Sequence, residues 1–365
     1  MTRTLSGPER VAWVRLARTP RVGPLTFAGL IARFQTASAA LEALPRISRL
    51  TPTPAQAVER ELDALEAIGA RLIASCEPDF PPLLAQLPAP PPILAVRGDV
   101  KTLRKPAVAI VGSREGSAAA LMLAERFATD LGAAGFAIVS GLARGVDAAA
   151  HKGALQTGTI AVLAGGLDRP YPPQNLKLHE MICERGAVVS EAPLGMVARA
   201  RDFPRRNSII SGLSRGVVVI EAALRSGSLI TARAAGDQGR DVMAVPGSPL
   251  DPRARGSNQL IKQGATLVEN AEDVIAALGE APAPLRSQPQ PSLFEHGQEK
   301  PRERLAAQIA ALLSPTPVHI NDLARLLNAP LAAVAAALTE LELDDRAASL
   351  PGGYAALSGA AFSKD

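Results

Sequence analysis

The chain has 365 residues, 47% of them hydrophobic, and its 39 Lys and Arg against 35 Asp and Glu give a formal net charge of +4. That length leaves room for two or three domains and a sizeable core, and the mildly basic balance permits nucleic acid as a partner without requiring it. Aromatic residues are only 3%, which speaks against base stacking as the main mode of any nucleic-acid binding, and no apolar run or leader suggests a membrane.

Cys76 and Cys183 make no CxxC, which fits a reducing cytoplasm. His151, His179, His296 and His319 are scattered, and none reads as a metal-spaced cluster with a cysteine, so no metal is expected. Arginine greatly outnumbers lysine, which favours planar, forked contacts to phosphate.

In chain order, the first 70 or so residues read as helical. Val11 to Ala17 is apolar-periodic, Thr19 to Pro24 is a turn, and Leu25 to Phe34 resumes the helical period. Helix, Val-Gly-Pro turn and helix resemble a helix-hairpin-helix, whose turn N–H groups can hold a phosphate; a plain αα-hairpin explains the pattern equally well. Thr53 to Ala70 reads as a further helix. Residues 78–98 are proline-rich, so an extended connector is expected, ending in a short strand from Pro92 to Gly98.

The stretch AVAIVGSREGS, Ala107 to Ser117, reads as strand, glycine turn and helix start, followed by a helix over Ala118 to Leu131. Gly112 lets a ligand or backbone approach, Ser113 and Arg114 line the turn, and Ser117 caps the helix, whose N-terminus would favour an anion. The turn lacks the third glycine of GxGxxG and the Lys-Ser/Thr of a P-loop, and no acidic ribose ligand stands at the usual spacing, so no dinucleotide or other cofactor is expected. A ligand-free structural turn is the alternative. Further strands are expected at Ala137–Ser140, Thr159–Leu163, Ala187–Ser190, Val217–Glu221 and Val242–Val245, with helices between them. That alternation marks an open parallel α/β sheet of Rossmann type, with ligands beyond the carboxyl ends of the strands.

Those ends carry the unusual residues. SGLARGVDAAAH, Ser140 to His151, supplies Gly141 and Arg144, with Asp147 and His151 on one helix face. A hydrolytic reading makes the last two an acid–base pair; a capping and orienting pair is the preferred reading, because no nucleophile or metal cluster accompanies them. Tyr171 to Asn175 with Lys177 forms a rim loop, in which the lone Tyr171 reads as packed. FPRRNSIISGL brings Arg205, Arg206 and Asn207 together, a set suited to a phosphodiester backbone. Ser228 is expected to cap the helix after Glu221.

Residues 280–301 are Pro- and Gln-rich and read as a linker. Beyond it, helices are expected at Arg302–Leu313, Asn321–Leu327 (capped by Asn321) and Leu331–Leu343, then a two-stranded wing within Asp344–Leu357. The last helix has no basic or amide side chain and carries Glu340 and Glu342, so it should not read DNA bases as a sequence-specific regulator would; a protein contact or self-association fits it.

GSREGS, SGLARGVDAAAH, GGLDRPYPPQN, FPRRN, EAALRSGSLITA, VPG and LIKQGA occur in one order and together resemble the DNA-processing protein A (DprA/Smf) family over about residues 78–270. The resemblance implies an extended Rossmann-like parallel sheet that binds single-stranded DNA, forms a homodimer and loads RecA during natural transformation, with no catalytic activity. Carried over by motif, the DNA-contact residues are Gly112, Ser113, Arg114, Gly141, Arg144, Lys177, Arg205, Arg206 and Asn207. The family often has a second arginine where this chain has Ser208.

The implied segments are an N-terminal helical unit of helix-hairpin-helix or SAM-like kind (1–75), a Rossmann-like DNA-binding unit (76–280), the linker (281–301) and a winged-helix-like unit (302–365). Leu229–Gly239 and Leu260–Val268 are candidate dimer faces equally well explained as core. The runner-up is a nucleotide-processing hydrolase of the lysine-decarboxylase-like group, with Glu221 as a carboxylate; its Pro-Gly-Gly-x-Gly-Thr loop is missing here.

Overall fold

The computed structural model describes residues 3–279 and 302–358; the linker 281–301, with His296, lies outside the described residues. Four helices open the chain: α1 (Gly7–Arg18), α2 (Pro24–Phe34), α3 (Ala37–Ile47) and α4 (Ala55–Ala67). At α1 the Ser6 hydroxyl accepts from Glu9 N, and Arg15 and Arg18 close the last turn, the charge order that a helix dipole favours. Trp13 Nε1 donates to Pro92 O at 2.8 Å and its ring meets Phe27 edge-on at 4.9 Å. The helical unit thereby shares one apolar core with the sheet that follows.

Two readings need correction here. The helix expected to reach Ala70 ends at Ala67; Gly69 takes a φ of 67°, which glycine adopts without a Cβ penalty, and the chain turns into strand β1 (Ala70–Ala74). The proline-rich stretch is not extended throughout, since Pro82–Ala85 form one helical turn, α5, with the proline at its first position where a missing N–H costs nothing. Strand β2 (Ile93–Gly98) follows.

The central pattern alternates as read: β3 (Ala107–Val111), α6 (Ala118–Ala133), β4 (Ala137–Ser140), α7 (Val146–Gly153), β5 (Thr159–Leu163), α8 (Leu176–Arg185), β6 (Ala187–Ser190), α9 (Phe203–Gly212), β7 (Gly216–Val219), α10 (Ser228–Asp237), β8 (Asp241–Ala244), α11 (Arg255–Lys262), β9 (Thr266–Leu267) and α12 (Ala271–Ala277). β7 and β8 each begin one residue earlier than read, and β9 adds an edge strand that the sequence did not reveal. The strand order is β1-β2-β6-β5-β4-β3-β7-β8-β9. Pairing is parallel from β6 through to β9, while β2 runs antiparallel to β6 and to β1.

Successive side chains of a strand face opposite ways. Val108 and Ile110 of β3 therefore pack under α6, α7 and α12, while Ala107, Ala109 and Val111 pack under α9, α10 and α11. The strand order reverses between β3 and β7, so the loops after these strands line the crevice where open α/β sheets hold their ligands.

The last described segment comprises α13 (Arg302–Leu312), β10 (Val318–His319), α14 (Ile320–Leu327), α15 (Leu331–Leu343), β11 (Ala347–Leu350) and β12 (Tyr354–Leu357). The expected two-stranded wing gains β10 as a third strand, in the order β10-β12-β11. The cap of α14 is His319 rather than Asn321: its side chain accepts from Asn321 N. Ala118 and Met122 of α6 join this segment's core, and Arg253 donates to Ala311 O and Leu313 O at 3.1 and 2.7 Å. Among the described residues no single helix is long and apolar enough to cross a membrane.

Candidate nucleic-acid interface

The turn after β3 departs from the expected open anion site. Ser117 caps α6, accepting from Ala120 N at 3.2 Å. Its own backbone N–H and hydroxyl donate to the Glu221 carboxylate at 3.1 and 2.7 Å, and Ser113 N donates to Glu221 O at 2.7 Å. A carboxylate of the chain itself thus fills the helix N-terminus where a phosphate was expected. Burial pushes the Glu221 pKa up, against the pull of Ser117 and Arg253.

The turn after β4 is closed in the same way. Asp147 Oδ2 accepts from Gly141 N and Ala143 N at 3.1 and 3.3 Å. Burial raises its pKa, with Arg206 opposing. The two turns interlock: a Cβ on Gly145, whose φ is 76°, would lie 2.3 Å from Ser113 O. His151 is fully buried, and its Nδ1 lies 2.7 Å from Thr159 Oγ1, which itself donates to Ile138 O. Burial, aided by Arg206, pushes the His151 pKa down to about 3. Asp147 thus holds the turn and His151 the strand behind it, contacts that suit a capping and orienting pair.

The cationic centre lies where α9 begins. The Arg206 side chain runs against the backbone of Gly141 so closely that a Cβ there would sit 1.5 Å from Nη1. Arg206 is only 7% exposed, and its Nε is buried without a partner. Among the described residues its guanidinium has no hydrogen bond or ion pair within 4 Å, and Asp147 acts on it only at longer range. Burial lowers its pKa and the Arg114 charge lowers it further, yet a guanidinium stays charged at any ordinary pH. Arg114 and Arg206 both lie over the Phe203 ring, 5.4 and 5.5 Å from its centroid. Two like charges sharing one ring, with no carboxylate in contact among the described residues, form a site that an incoming anion would relieve. Tyr171 meets Phe203 edge-on at 6.3 Å, and Gly165 and Arg169 line the same small cavity.

The other residues singled out in the sequence flank this centre. Arg205 is 58% exposed at its side chain and pairs with Glu191, which is 12% exposed. Burial pushes the Glu191 pKa up, opposed by Arg205. Arg144 stands 3.8 Å from Glu115, both exposed. Lys177 is exposed on the first turn of α8, just after Asn175, whose Nδ2 donates to Leu142 O and Ala143 O. Ser113 Oγ accepts from Glu115 N, and a Cβ on Gly112 would meet the Val146 side chain, so both shape the turn.

Several residues turn away from the rim or differ from their reading. Asn207 is 8% exposed and its amide leans on Gly227 O at 3.4 Å. Ser208 accepts from Gln238 Nε2 at 2.8 Å and so faces α10. Ser228 does not cap α10; it is the first helical residue, and Ser226 Oγ accepts from its N–H. Tyr171, read as packed, is 57% exposed. Phe203 and Arg169 were missed, although Phe203 opens the very motif that carries the two arginines.

His179 and Cys183, read as belonging to no cluster, lie one turn apart on α8 with Glu180, their donor atoms within 4.8 Å of one another. Sequence spacing of four on a helix brings them to one face. His179 Nδ1 lies 3.2 Å from Glu180 Oε1, its Nε2 lies 4.0 Å from Cys183 Sγ, and Arg97 holds the other Glu180 oxygen at 3.3 Å. Burial pushes the Cys183 thiol up to about 11.

Comparison with known proteins matches three family models along the chain. These are a DprA-like N-terminal HHH domain over residues 8–64, the DNA recombination-mediator protein A model over 71–279, and a DprA winged helix domain over 295–353. The chain is 39% identical to Protein Smf of Escherichia coli over 320 residues, 86% of this chain and 84% of that one. It is 45% identical to the DNA processing protein DprA of Streptococcus pneumoniae over 199 residues, 54% of this chain and 70% of that one. The X-ray structure of the Streptococcus pneumoniae protein aligns with a TM-score of 0.64 at 31% identity, covering 76% of this chain and 98% of that one. DNA processing protein A from Helicobacter pylori, whose structure addresses its single-stranded DNA binding mode, aligns with a TM-score of 0.53 at 30% identity, covering 57% and 95%.

The buried imidazole carries a test of its own. His151 stays neutral in the fold well below its ordinary pKa of 6.5, so its contribution to stability is complete above that pH and is lost as the pH falls toward 3. At pH 5 the loss amounts to about 2 kcal/mol. Urea unfolding of wild type and His151→Gln at pH 7 and pH 5 measures it: the stability difference between them should shrink by that amount at pH 5, and an unchanged difference would show that the ring titrates normally.

Proposed function

The chain belongs to the DNA-processing protein A (DprA/Smf) family, and from that premise we propose that it binds single-stranded DNA through its arginine rim and hands the strand to RecA during natural transformation and recombination. The observation that carries the reading is the pair Arg114 and Arg206 on the Phe203 ring, without a carboxylate in contact among the described residues. Guanidinium groups take phosphate oxygens in a planar fork. Arg144, Arg205 and Lys177 extend the positive charge on either side, as suits a polyanion rather than one mononucleotide. Glycines 112 and 141, with Ser113, shape the turns that present these cations, and Asn207 fixes the start of α9 behind them.

The protein is a binding protein and not an enzyme. Glu221, the carboxylate a nucleotide hydrolase would use, is engaged by Ser117, and Asp147 and His151, the pair a hydrolytic reading would use, by turn amides and by Thr159. In this reading the sheet is an extended Rossmann arrangement flanked by an N-terminal helical domain (1–75) and a C-terminal winged helix (302–365), working in the cytoplasm. The winged helix serves a protein contact: the exposed residues of α15, Leu331, Ala332, Thr339, Glu342 and Leu343, include no base-reading side chain. A homodimer sets two rims side by side, and linked sites hold one long strand more firmly. Ile230 and Leu267, exposed within the two stretches named for that contact, suit it.

Three measurements test the proposal. Arg206→Ala and Arg114→Ala should each weaken single-strand binding by roughly ten- to a hundredfold, the effect of one charged hydrogen bond of about 1.5–3 kcal/mol. Each should also flatten the slope of log affinity against log salt by about 0.7. Unchanged affinity and slope would place the strand elsewhere. Gly141→Ala should displace the Arg206 guanidinium and reproduce the Arg206→Ala loss without a comparable fall in melting temperature; wild-type affinity would show that Arg206 does not act from that position. Finally, the protein should accelerate the DNA-dependent ATPase of the cognate RecA on DNA coated with single-strand-binding protein. No acceleration with binding intact would leave a strand-binding protein that is not a loader.

A further inference from the structure

Among the rim cations of the described residues, Arg205 alone is paired with a largely buried acid. Glu191 stands at the carboxyl end of β6 with its backbone fixed from two directions. Its carbonyl accepts from Arg18 Nη1 at 2.8 Å, and Arg18 is itself held by both Glu61 oxygens at 3.1 Å. The preceding residue, Ser190, donates its hydroxyl to Gly165 O at 2.7 Å and accepts from Ala192 N at 3.0 Å. The carboxylate that projects from this fixed point is 12% exposed, whereas its partner Arg205 is 58% exposed. The acid is built into the fold, and the cation faces outward, one residue from Arg206. By contrast the Arg144–Glu115 contact, 3.8 Å between two exposed side chains, is the kind that solvent screens.

We propose that Glu191 is a competing anion built into the strand-binding rim: it occupies Arg205 while no DNA is bound and must yield that guanidinium when a phosphate arrives. The inference rests on the reading that this rim binds single-stranded DNA. A carboxylate and a phosphate make comparable charge-assisted contacts to a guanidinium, so exchanging one for the other gains little. A fixed negative charge beside the arriving phosphate also repels it. A phosphate that takes Arg205 from Glu191 leaves the carboxylate uncompensated beside it, so no net charge is neutralised and the contact adds little to the salt slope. Glu191 therefore holds affinity below what the arginines alone would give, which suits a protein that must surrender the strand to another.

The test uses the full chain and a fluorescent oligothymidylate titrated at several salt concentrations. Glu191→Gln keeps the shape and one acceptor for Arg205 but removes the charge. It should bind roughly three- to tenfold more tightly at low salt, with a slope steeper by about 0.7, the value of one added phosphate contact. Glu191→Ala should repeat the gain, and combining Glu191→Gln with Arg205→Ala should abolish it. Affinity equal to or below that of wild type in both single variants, with the slope unaltered, overturns the inference and makes Glu191 a positioning residue for Arg205. A wild-type protein that binds no single strand overturns the proposed function as well, so the two failures are distinguishable.

Discussion

A guanidinium held against a glycine backbone is the contact on which the rest of the proposed interface depends. Arg206 reaches its place only because residue 141 has no Cβ. Once there, it is desolvated, unpartnered among the described residues, and stacked with Arg114 on the Phe203 ring. Asp147 offsets part of the cost at longer range while its own oxygen holds the Gly141 and Ala143 amides. The turn, the acid and the base are thus one unit. Such an arrangement costs stability in isolation and recovers it when an anion binds.

The same rim shows how a sheet that commonly serves nucleotides can be turned to another use. In dinucleotide-binding relatives of this architecture, pyrophosphate sits on the helix N-terminus after the first strand. Here Glu221 fills that position through Ser117, and Asp147 closes the next turn. With several turn N–H groups engaged internally, the proposed interface relies on side chains: Arg114 and Arg206 at the centre, Arg144, Arg205 and Lys177 around them. Side-chain cations spread along a rim suit a chain of phosphates, and they leave room for modulation by nearby acids such as Glu191 and Glu115.

The flanking units meet this rim through specific ties. Arg18 of the first helix holds Glu191 O, and Trp13 holds Pro92 O at the entry to the sheet. At the other side, Arg253, gripped by Asp251, donates to carbonyls that end α13. Both ties are made by long side-chain donors reaching backbone carbonyl oxygens of the next unit.

The sequence by itself determined the central architecture. Four strands stand where runs such as Ala107–Val111 and Thr159–Leu163 place them, because a continuous apolar stretch bounded by glycine turns has few other homes than a buried parallel strand. It also singled out the arginines that line the rim loops, since glycines and arginines after strand ends are local signals. What it did not determine is which of those residues face one another. That Asn207 and Ser208 turn inward while Arg206 turns to Gly141 depends on the rotation of α9 against β4 and α10. That Glu221, more than a hundred positions from Ser117, closes the first turn depends on β3 and β7 being neighbours. Edge strands β1 and β9 escaped for a related reason, being short and defined by their pairing more than by their own pattern. Periodicity is a property of neighbours in sequence, whereas the pairing of charges is a property of neighbours in space, and only the folded sheet supplies the second.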